Sequence, residues 1–313
     1  MDALQKGLNM ELRKRIRKVL SSIQNEILGK EEEIELLMVA FLAGGHILIE
    51  DLPGLGKTSV AKSMARSLGL TFRRIQGSSD LMPADILGVH IFNPSTREFE
   101  LHEGPAFAQL VLFDEMNRTP PRTQSALLQV MAEHQITIDQ KTYILKEPYF
   151  VIGTQNPLSS DGTYHLPDSQ LDRFSLRISL GYPPREHEMR LLSGEDIPST
   201  ATDLSSEELV EARQLVRQVG ADPRLMNYIL DIAHETRNDG RLDHGISVRG
   251  TRELLALSQS RAWLKERDYI TPDDIQILAP YALGHRILAP GIGSRSLQEE
   301  YIMNLLDAMP LPL

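Results

Sequence analysis

Residues that suit phosphate chemistry occur together in one short loop. The segment 51–58 reads Asp-Leu-Pro-Gly-Leu-Gly-Lys-Thr and follows the apolar stretch 46–50. Glycines let backbone N–H groups close around phosphate oxygens, the lysine reaches the β- and γ-phosphates, and the threonine hydroxyl can ligate Mg²⁺. The usual pattern has a glycine where this chain has Asp51, so the match is incomplete. The loop predicts a nucleotide site formed by Pro53, Gly54, Leu55, Gly56, Lys57, Thr58 and Ser59.

Two adjacent carboxylates, Asp114 and Glu115, follow the apolar run 110–113. Parallel α/β sheets bind ligands beyond the carboxyl ends of their strands, so these groups would lie at the ligand-binding edge. Asp114 can join Thr58 as a ligand of Mg²⁺, and Glu115 can polarise an attacking water as general base. Many apolar strands end in acids that simply meet solvent. The phosphate loop upstream favours the functional interpretation.

Three further polar residues are candidates for catalysis. Asn156 ends an apolar run and could bind the γ-phosphate or orient the water, although Asn-Pro is also a turn signal. Arg173 precedes the last predicted strand and offers a planar, permanently charged fork to a phosphate. A surface salt bridge is its alternative interpretation. Arg249 begins a predicted helix, from which it could reach back to the nucleotide.

The pattern of apolar runs predicts the elements that position these residues. Short apolar strands alternate with helical spacing, which is typical of a mostly parallel sheet covered on both faces. The predicted strands are 46–50, 72–75, 110–113, 149–152 and 176–180, and a hairpin joins 135–138 to 142–145. After Pro183-Pro184 the pattern becomes helical, beginning with a capping box at Ser205 and Glu208. We therefore expect an α/β domain over 1–184 and an all-α domain over 185–313.

The N-terminal segment 11–27 also has apolar residues at helical spacing. Its basic residues are interpreted as a solvated helix face; they are Arg13, Lys14, Arg15, Arg17 and Lys18.

Composition narrows the classes of function. The 313 residues include no cysteine, which excludes a disulfide scaffold, a thiol nucleophile and a cysteine-based metal site. The formal net charge of −10 disfavours sequence-independent binding of duplex DNA, although a local basic channel is compatible with it. The apolar runs are too short to span a bilayer, and the N-terminus lacks the pattern of a signal peptide. We expect a cytoplasmic protein.

In this order the segments resemble the Walker A, Walker B, sensor 1, arginine-finger and sensor 2 motifs of AAA+ ATPases. Longer strings resemble the MoxR family in particular. Close matches are Phe-Asp-Glu-Met-Asn-Arg at 113–118, Gly-Thr-Gln-Asn-Pro at 153–157 and Leu-Pro-Asp-Ser-Gln-Leu-Asp-Arg-Phe at 166–174. Ile-Leu-Gly-Lys at 27–30 is similar to the family's adenine-side segment, which implies that Leu28 and Gly29 contact the base.

The resemblance implies an ATP-hydrolysing P-loop domain with an αβα core, a C-terminal all-α lid and assembly into a ring, usually a hexamer. It implies ATP and Mg²⁺ as cofactors. Family members are regarded as chaperone-like machines that mature partner complexes or insert metal into them, often with von Willebrand factor A-domain proteins. The segment 81–104 corresponds to the family's insertion, and 135–145 corresponds to its pre-sensor hairpin. In a ring, both could project toward the pore and touch the client.

One departure concerns sensor 2, where the family often has Ser-Pro-Arg and this chain has Ser247-Val248-Arg249. The change affects how the lid helix begins but keeps the arginine. Two other functions stay open. One is a magnesium-chelatase-like or DNA-motor subunit, and the other is a scaffold that binds ATP without turnover.

Overall fold

The computed structural model describes residues 3–157, 162–193, 204–288, 291 and 294–312. The first part of the chain contains α1 (Ala3–Glu26), α2 (Glu31–Ala43), β1 (Ile47–Glu50), α3 (Lys57–Ser67), β2 (Phe72–Gln76), α4 (Pro83–Leu87), β3 (Gly88–Asn93), β4 (Glu98–Glu103), β5 (Leu110–Asp114), α5 (Pro121–Glu133), β6 (Gln135–Ile138), β7 (Lys141–Ile144), β8 (Phe150–Gln155), α6 (Asp168–Leu171) and β9 (Leu176–Ile178). The second part contains α7 (Arg185–Leu192), α8 (Ser206–Val216), α9 (Pro223–Asn238), α10 (Val248–Leu264), α11 (Pro272–Leu283) and α12 (Arg295–Ala308).

Five parallel strands form the central sheet in the order β2-β5-β8-β1-β9. The strand β1 lies between β8 and β9, with Ile47 opposite both Ile152 and Leu176. Because the strands are parallel, the segments that follow β1, β5 and β8 leave the sheet side by side at its carboxyl edge. This order brings the predicted phosphate loop next to the predicted acidic pair.

Alternate residues of each strand face different layers of helices, as expected for a sheet buried on both sides. Ile47 and Ile49 pack with α1, α2 and α3, whereas Leu48 packs with α5 on the other face. This arrangement confirms the predicted αβα architecture with an all-α part after it.

Two antiparallel hairpins extend from the domain. The hairpin β6–β7 matches its predicted position, and its turn residue Asp139 has a φ of 56°. The hairpin β3–β4 lies within the segment 81–104, where the sequence predicted an insertion but no strands.

Two of the helices after β9 begin at serine N-caps, and the sequence predicted the one at Ser205. The hydroxyl of Ser205 accepts a hydrogen bond from the Glu208 backbone N–H, and that of Ser247 accepts one from Gly250. One continuous apolar core joins helices α8–α12 to α1, α2 and α3. The domain boundary after Pro184 falls between β9 and α7, and it stays a prediction. Within the described ranges, no helix combines the length and apolar character needed to cross a bilayer.

The helix α1 corrects one interpretation of the sequence. Arg13 is only 6% exposed, and its guanidinium donates to Asp268 at 2.8 Å. Arg17 pairs with Glu266 at 2.5 Å in the same connection between α10 and α11. A solvated face is therefore the wrong interpretation for Arg13, because α1 packs against the all-α part there. It holds for Lys14, Arg17 and Lys18, whose side chains are exposed.

Candidate functional site

The phosphate loop leaves β1 and enters α3 through two glycines in the left-handed region. Gly54 has a φ of 87° and Gly56 a φ of 83°. No atom lies within 4 Å of a Cβ built on either glycine, so both border open space. That space belongs to a cavity of about 360 Å³. Its walls include Pro53, Gly54, Gly56, Lys57, Thr58, Ser59, Arg74, Gln76, Asp114, Glu115, Thr154 and Asn156.

Lys57 is buried at the start of α3, on the wall of this cavity. Its Nζ donates to the carbonyl oxygens of Asp51 at 2.8 Å and Leu52 at 2.9 Å. Burial lowers the pKa of the ammonium, and the nearby carboxylates of Asp51, Asp114 and Glu115 oppose that shift. A phosphate at this position would give the ammonium an anionic partner in place of neutral carbonyls.

Asp51 occupies the place of the usual glycine, and its side chain anchors the phosphate loop. Its buried carboxylate accepts hydrogen bonds from the Ser179 hydroxyl at 2.7 Å and from the backbone N–H groups of Leu180 and Gly181. These partners lie just after β9, so Asp51 ties the phosphate loop to the neighbouring strand. Sequence reasoning treated Asp51 only as a tolerated departure and missed this role.

The acidic pair lies at the end of β5, next to the end of β8. Thr154 donates from its hydroxyl to Asp114 Oδ1 at 2.6 Å and accepts from the Glu115 backbone N–H at 2.9 Å. Glu115 has a φ of 52°, a left-handed conformation that is uncommon outside glycine. The Thr154 hydroxyl therefore fixes the position of one carboxylate and the backbone of the other.

The Glu115 carboxylate itself has two side-chain donors. Gln76 donates to its Oε2 at 3.2 Å, and Arg118 donates to the same atom at 3.0 Å. Sequence reasoning missed Gln76 and Thr154. Polar residues on a strand of a buried sheet were the signal that could have identified both.

The chemistry of the cavity suits Mg²⁺. The hydroxyl of Thr58 and the carboxylate of Asp114 both line it, and both are the oxygen ligands that this cation prefers. Mg²⁺ is usually held by one or two protein oxygens together with substrate phosphates, so two candidate ligands are sufficient. Asn156 lines the same cavity just beyond β8.

A second, more apolar cavity of about 540 Å³ adjoins the phosphate loop and shares Gly54, Gly56 and Ser59 with the first. Leu28 and Leu55 lie in its wall, together with Ile27, Tyr182 and Pro183. Gly29 has a φ of 70°, and a Cβ there would lie 2.6 Å from the side chains of Pro184 and His187. Glycine is therefore required where the chain turns beside this cavity.

Arg173 lies at the opposite, amino edge of the sheet. The backbone N–H of Ser175 donates to the His46 carbonyl at 2.8 Å, which places this segment before β1. The four residues of β1 separate it from the phosphate loop by roughly 13 Å. The Arg173 guanidinium donates to the Leu128 carbonyl at 2.6 Å, and no ion pair of Arg173 occurs among the described residues.

Arg249 does not line the phosphate cavity of its own chain. We expected it to reach back to the nucleotide, but it lines a cavity of about 210 Å³ with Arg173 at the amino edge. Its guanidinium lies 3.6 Å from Asp172, which also accepts from Arg286 at 2.8 Å and from the Ser247 hydroxyl at 2.9 Å. The physical reason is that α10 packs against α2, on the sheet face that the helical part shares with α1–α3.

His46 supports the floor of this amino-edge cavity. Its Nδ1 accepts from the Val151 backbone N–H at 3.1 Å, so the proton is on Nε2, which donates to the Met131 carbonyl at 3.1 Å. Burial lowers the pKa of His46 to about 3. The imidazole therefore stays neutral and adds no charge beside the two arginines.

Two families match separate parts of the chain. Residues 46–176 match the "ATPase family associated with various cellular activities (AAA)". Residues 234–301 match the "AAA lid domain". The first range contains the phosphate loop, the acidic pair and Arg173, and the second contains Arg249.

Three similar proteins cover almost all of the chain. An uncharacterized protein, YeaC, from Bacillus subtilis (strain 168) is 40% identical and covers 95% of this chain and 94% of its own length. Chaperone MoxR1 from Mycobacterium tuberculosis is 32% identical, over 95% of this chain and 82% of its own. A crystal structure described as a candidate ATPase from Cytophaga hutchinsonii is 32% identical and covers 98% of each chain with a TM-score of 0.89.

Proposed function

Since this chain belongs to the MoxR family of AAA+ ATPases, we propose that it hydrolyses ATP with Mg²⁺ and uses the energy as a chaperone-like machine. The observation that carries this proposal is the single cavity lined by Lys57, Thr58, Asp114, Glu115 and Asn156. It joins a phosphate loop, two oxygen ligands and a carboxylate suited to proton transfer.

Each of these five residues has a proposed role in the reaction. Lys57 binds the β- and γ-phosphates, while Thr58 and Asp114 hold Mg²⁺. When bound, the cation withdraws negative charge from the phosphoryl oxygens. Glu115 accepts the proton of the attacking water, and Asn156 orients that water or the γ-phosphate. Leu28 and Leu55 line the apolar cavity proposed for adenine, and Gly29 forms the turn beside it.

In the proposed ring assembly, a neighbouring subunit supplies positive charge to the γ-phosphate. Arg173 and Arg249 lie on the edge of the sheet opposite their own phosphate loop, which supports a role in a neighbouring subunit. In the proposed ring, a hexamer by family resemblance, the amino edge of one subunit faces the carboxyl edge of the next. The two arginines then contact the neighbour's γ-phosphate and stabilise the charge that develops during transfer.

The proposed client is a partner protein complex. MoxR1 is named a chaperone, and this chain is similar to it over nearly its whole length. We propose that this chain likewise remodels a partner protein complex or supports cofactor insertion, with a von Willebrand factor A-domain protein as a candidate partner. The hairpins β3–β4 and β6–β7 are the segments proposed to touch the client.

Two alternatives are distinguishable. A magnesium-chelatase-like or DNA-motor subunit would require a metal-chelation partner or a nucleic acid to stimulate turnover, and the net charge of −10 disfavours the nucleic acid. A scaffold without turnover would bind ATP but not release phosphate. A steady-state phosphate-release assay separates the scaffold from the ATPase.

The decisive variant is Glu115→Gln, because a carboxamide cannot accept the proton. We expect ATP affinity measured by calorimetry to be retained and turnover to fall by about 10²–10⁴-fold. Glu98→Gln on β4 removes an exposed carboxylate outside the cavity and is the matched control. Turnover of Glu115→Gln within about twofold of the unmodified chain would contradict the assignment of the base.

Assembly is tested separately by light scattering. A non-hydrolysable ATP analogue should raise the measured mass, because a ligand bound between subunits favours the assembled state by mass action. A mass that stays that of a monomer at micromolar protein with saturating analogue would count against the ring.

A further inference from the structure

The strand β2 presents alternate polar side chains to the two carboxylates of the phosphate cavity. In the parallel register, Arg74 lies opposite Leu112 and Gln76 lies opposite Asp114. Successive side chains of a strand point to opposite faces, so Arg74 and Gln76 share one face. Both line the cavity that contains Lys57.

The Arg74 guanidinium donates a hydrogen bond to one carboxylate oxygen of Asp114, the candidate metal ligand. Its Nη2 donates to Asp114 Oδ2 at 2.6 Å and to Gln76 Oε1 at 2.5 Å. The other oxygen, Asp114 Oδ1, accepts from the Thr154 hydroxyl. Both carboxylate oxygens of Asp114 therefore already have donors in this structure.

A guanidinium at this position and a divalent cation on Asp114 compete. Both are positive and both need the same carboxylate, and the Asp114 side chain is only 11% exposed, so water screens their repulsion weakly. The Arg74 side chain, in contrast, is 44% exposed. Little packing opposes its release, whereas Asp114 is fixed by Thr154.

We propose that Arg74 is an internal counter-ion for Asp114, which it neutralises and orients until a divalent cation arrives with ATP and displaces it. This inference rests on the proposed function and deepens it, because it states what regulates metal binding at that site. Arg74 thereby keeps Asp114 from binding cations without a nucleotide and raises the Mg²⁺ concentration at which ATP binding tightens.

The test measures nucleotide affinity rather than turnover. The affinity of a fluorescent ATP analogue is determined in EDTA and over a series of Mg²⁺ concentrations, and the midpoint of the Mg²⁺ dependence is compared among variants. Arg74→Gln removes the competing charge. We expect its midpoint to fall by about three- to tenfold, as for a half-exposed charged pair. Its affinity in EDTA should stay within about twofold of the unmodified chain.

Two variants control for charge and folding. Arg73→Gln removes the same charge from the preceding residue of β2, whose guanidinium donates to the Phe72 carbonyl and does not line the cavity. Its midpoint should not move. Arg74→Lys keeps a competing cation and should remain near the unmodified midpoint. If Arg74→Gln fails to fold by circular dichroism, Arg74→Met removes the charge in its place: a lowered midpoint would support the proposal, and an unchanged or raised one would overturn it.

The outcomes distinguish a failure of the proposed ATPase function from a failure of the role of Arg74. An unmodified chain that binds no ATP analogue at any Mg²⁺ concentration would overturn the proposed function and this inference together. A chain that binds the analogue while Arg74→Gln leaves or raises the Mg²⁺ midpoint would overturn only the role of Arg74. Weaker binding of Arg74→Gln in EDTA would overturn it as well, because it would identify Arg74 as a direct phosphate ligand.

Discussion

The carboxyl and amino edges of the central sheet differ in the charged residues that surround their cavities. The carboxyl edge carries the phosphate loop and the carboxylates Asp114 and Glu115 around one cavity. The amino edge carries Arg173 and Arg249 around a smaller cavity, above a neutral His46. The first edge has the groups proposed to bind phosphate and accept a proton. The second has two arginines, with Glu253 in the same cavity wall and Asp172 beside Arg249.

The difference follows from the topology rather than from individual side chains. Segments that follow parallel strands emerge at the carboxyl edge, whereas residues just before β1 and β9 lie at the amino edge. The roughly 13 Å length of β1 keeps the two sets apart within one chain. The proposed ring would bring the amino edge of a second copy to this carboxyl edge.

The largest effect should come from Arg173→Ala. An arginine supplied to a neighbour's γ-phosphate is worth about 10³–10⁵ in turnover, so hydrolysis should fall by that order. ATP affinity by calorimetry should be unchanged, since the carboxyl edge is intact. A purely structural role, through the bond to the Leu128 carbonyl, predicts instead a less stable protein with weakened binding.

Mixing two inactive variants tests whether the two edges act together between subunits. Glu115→Gln retains its arginines, and Arg173→Ala retains its base, so mixed rings contain some complete interfaces. ATPase rate plotted against mixing ratio should rise above both pure variants. If subunit exchange is confirmed and the rate stays at the level of the pure variants, Arg173 does not act between subunits.

A smaller effect is expected from Lys57→Ala, which changes only the carboxyl edge. Loss of charge-assisted hydrogen bonds to phosphate should weaken ATP binding by about 10–150-fold in calorimetry. Lys62→Ala, a lysine of the same helix that does not line the phosphate cavity, is the control. Unchanged affinity in Lys57→Ala would contradict the assignment of the phosphate loop.

Much of the carboxyl edge could be predicted from the sequence because its signals are local. Short apolar runs, a glycine loop and acids at a strand end each fall within a few residues, and the fold places them as their order indicates. The environment of Arg13 was misread for the opposite reason. Whether Arg13 meets solvent or Asp268 depends on a contact between residues 255 positions apart.

Dependence on contacts between distant residues also explains why the rest of the site could not be predicted. The position of Arg249 depends on how α10 packs against α2, which no capping or periodicity signal encodes. The bond between Arg74 and Asp114 depends on β2 lying beside β5 in a definite register. Only polar residues on a strand of the sheet hinted at it.

The smallest effect is expected from Asp51→Asn, which tests how the phosphate loop is held. The buried carboxylate accepts from Ser179, Leu180 and Gly181, and an amide would turn one oxygen acceptor into a donor facing other donors. The free energy of unfolding should fall by about 1–3 kcal/mol in a denaturant titration. ATP affinity should fall only a few-fold, because the phosphate-binding groups remain.

Asp51→Asn leaves the amino edge unchanged. When it is mixed with Arg173→Ala, it should therefore still supply Arg173 and restore hydrolysis at the sites of the Arg173→Ala subunits. A variant with full stability would show that these bonds do not hold the loop, and a failure to donate the arginine would show that the two edges are coupled within one chain.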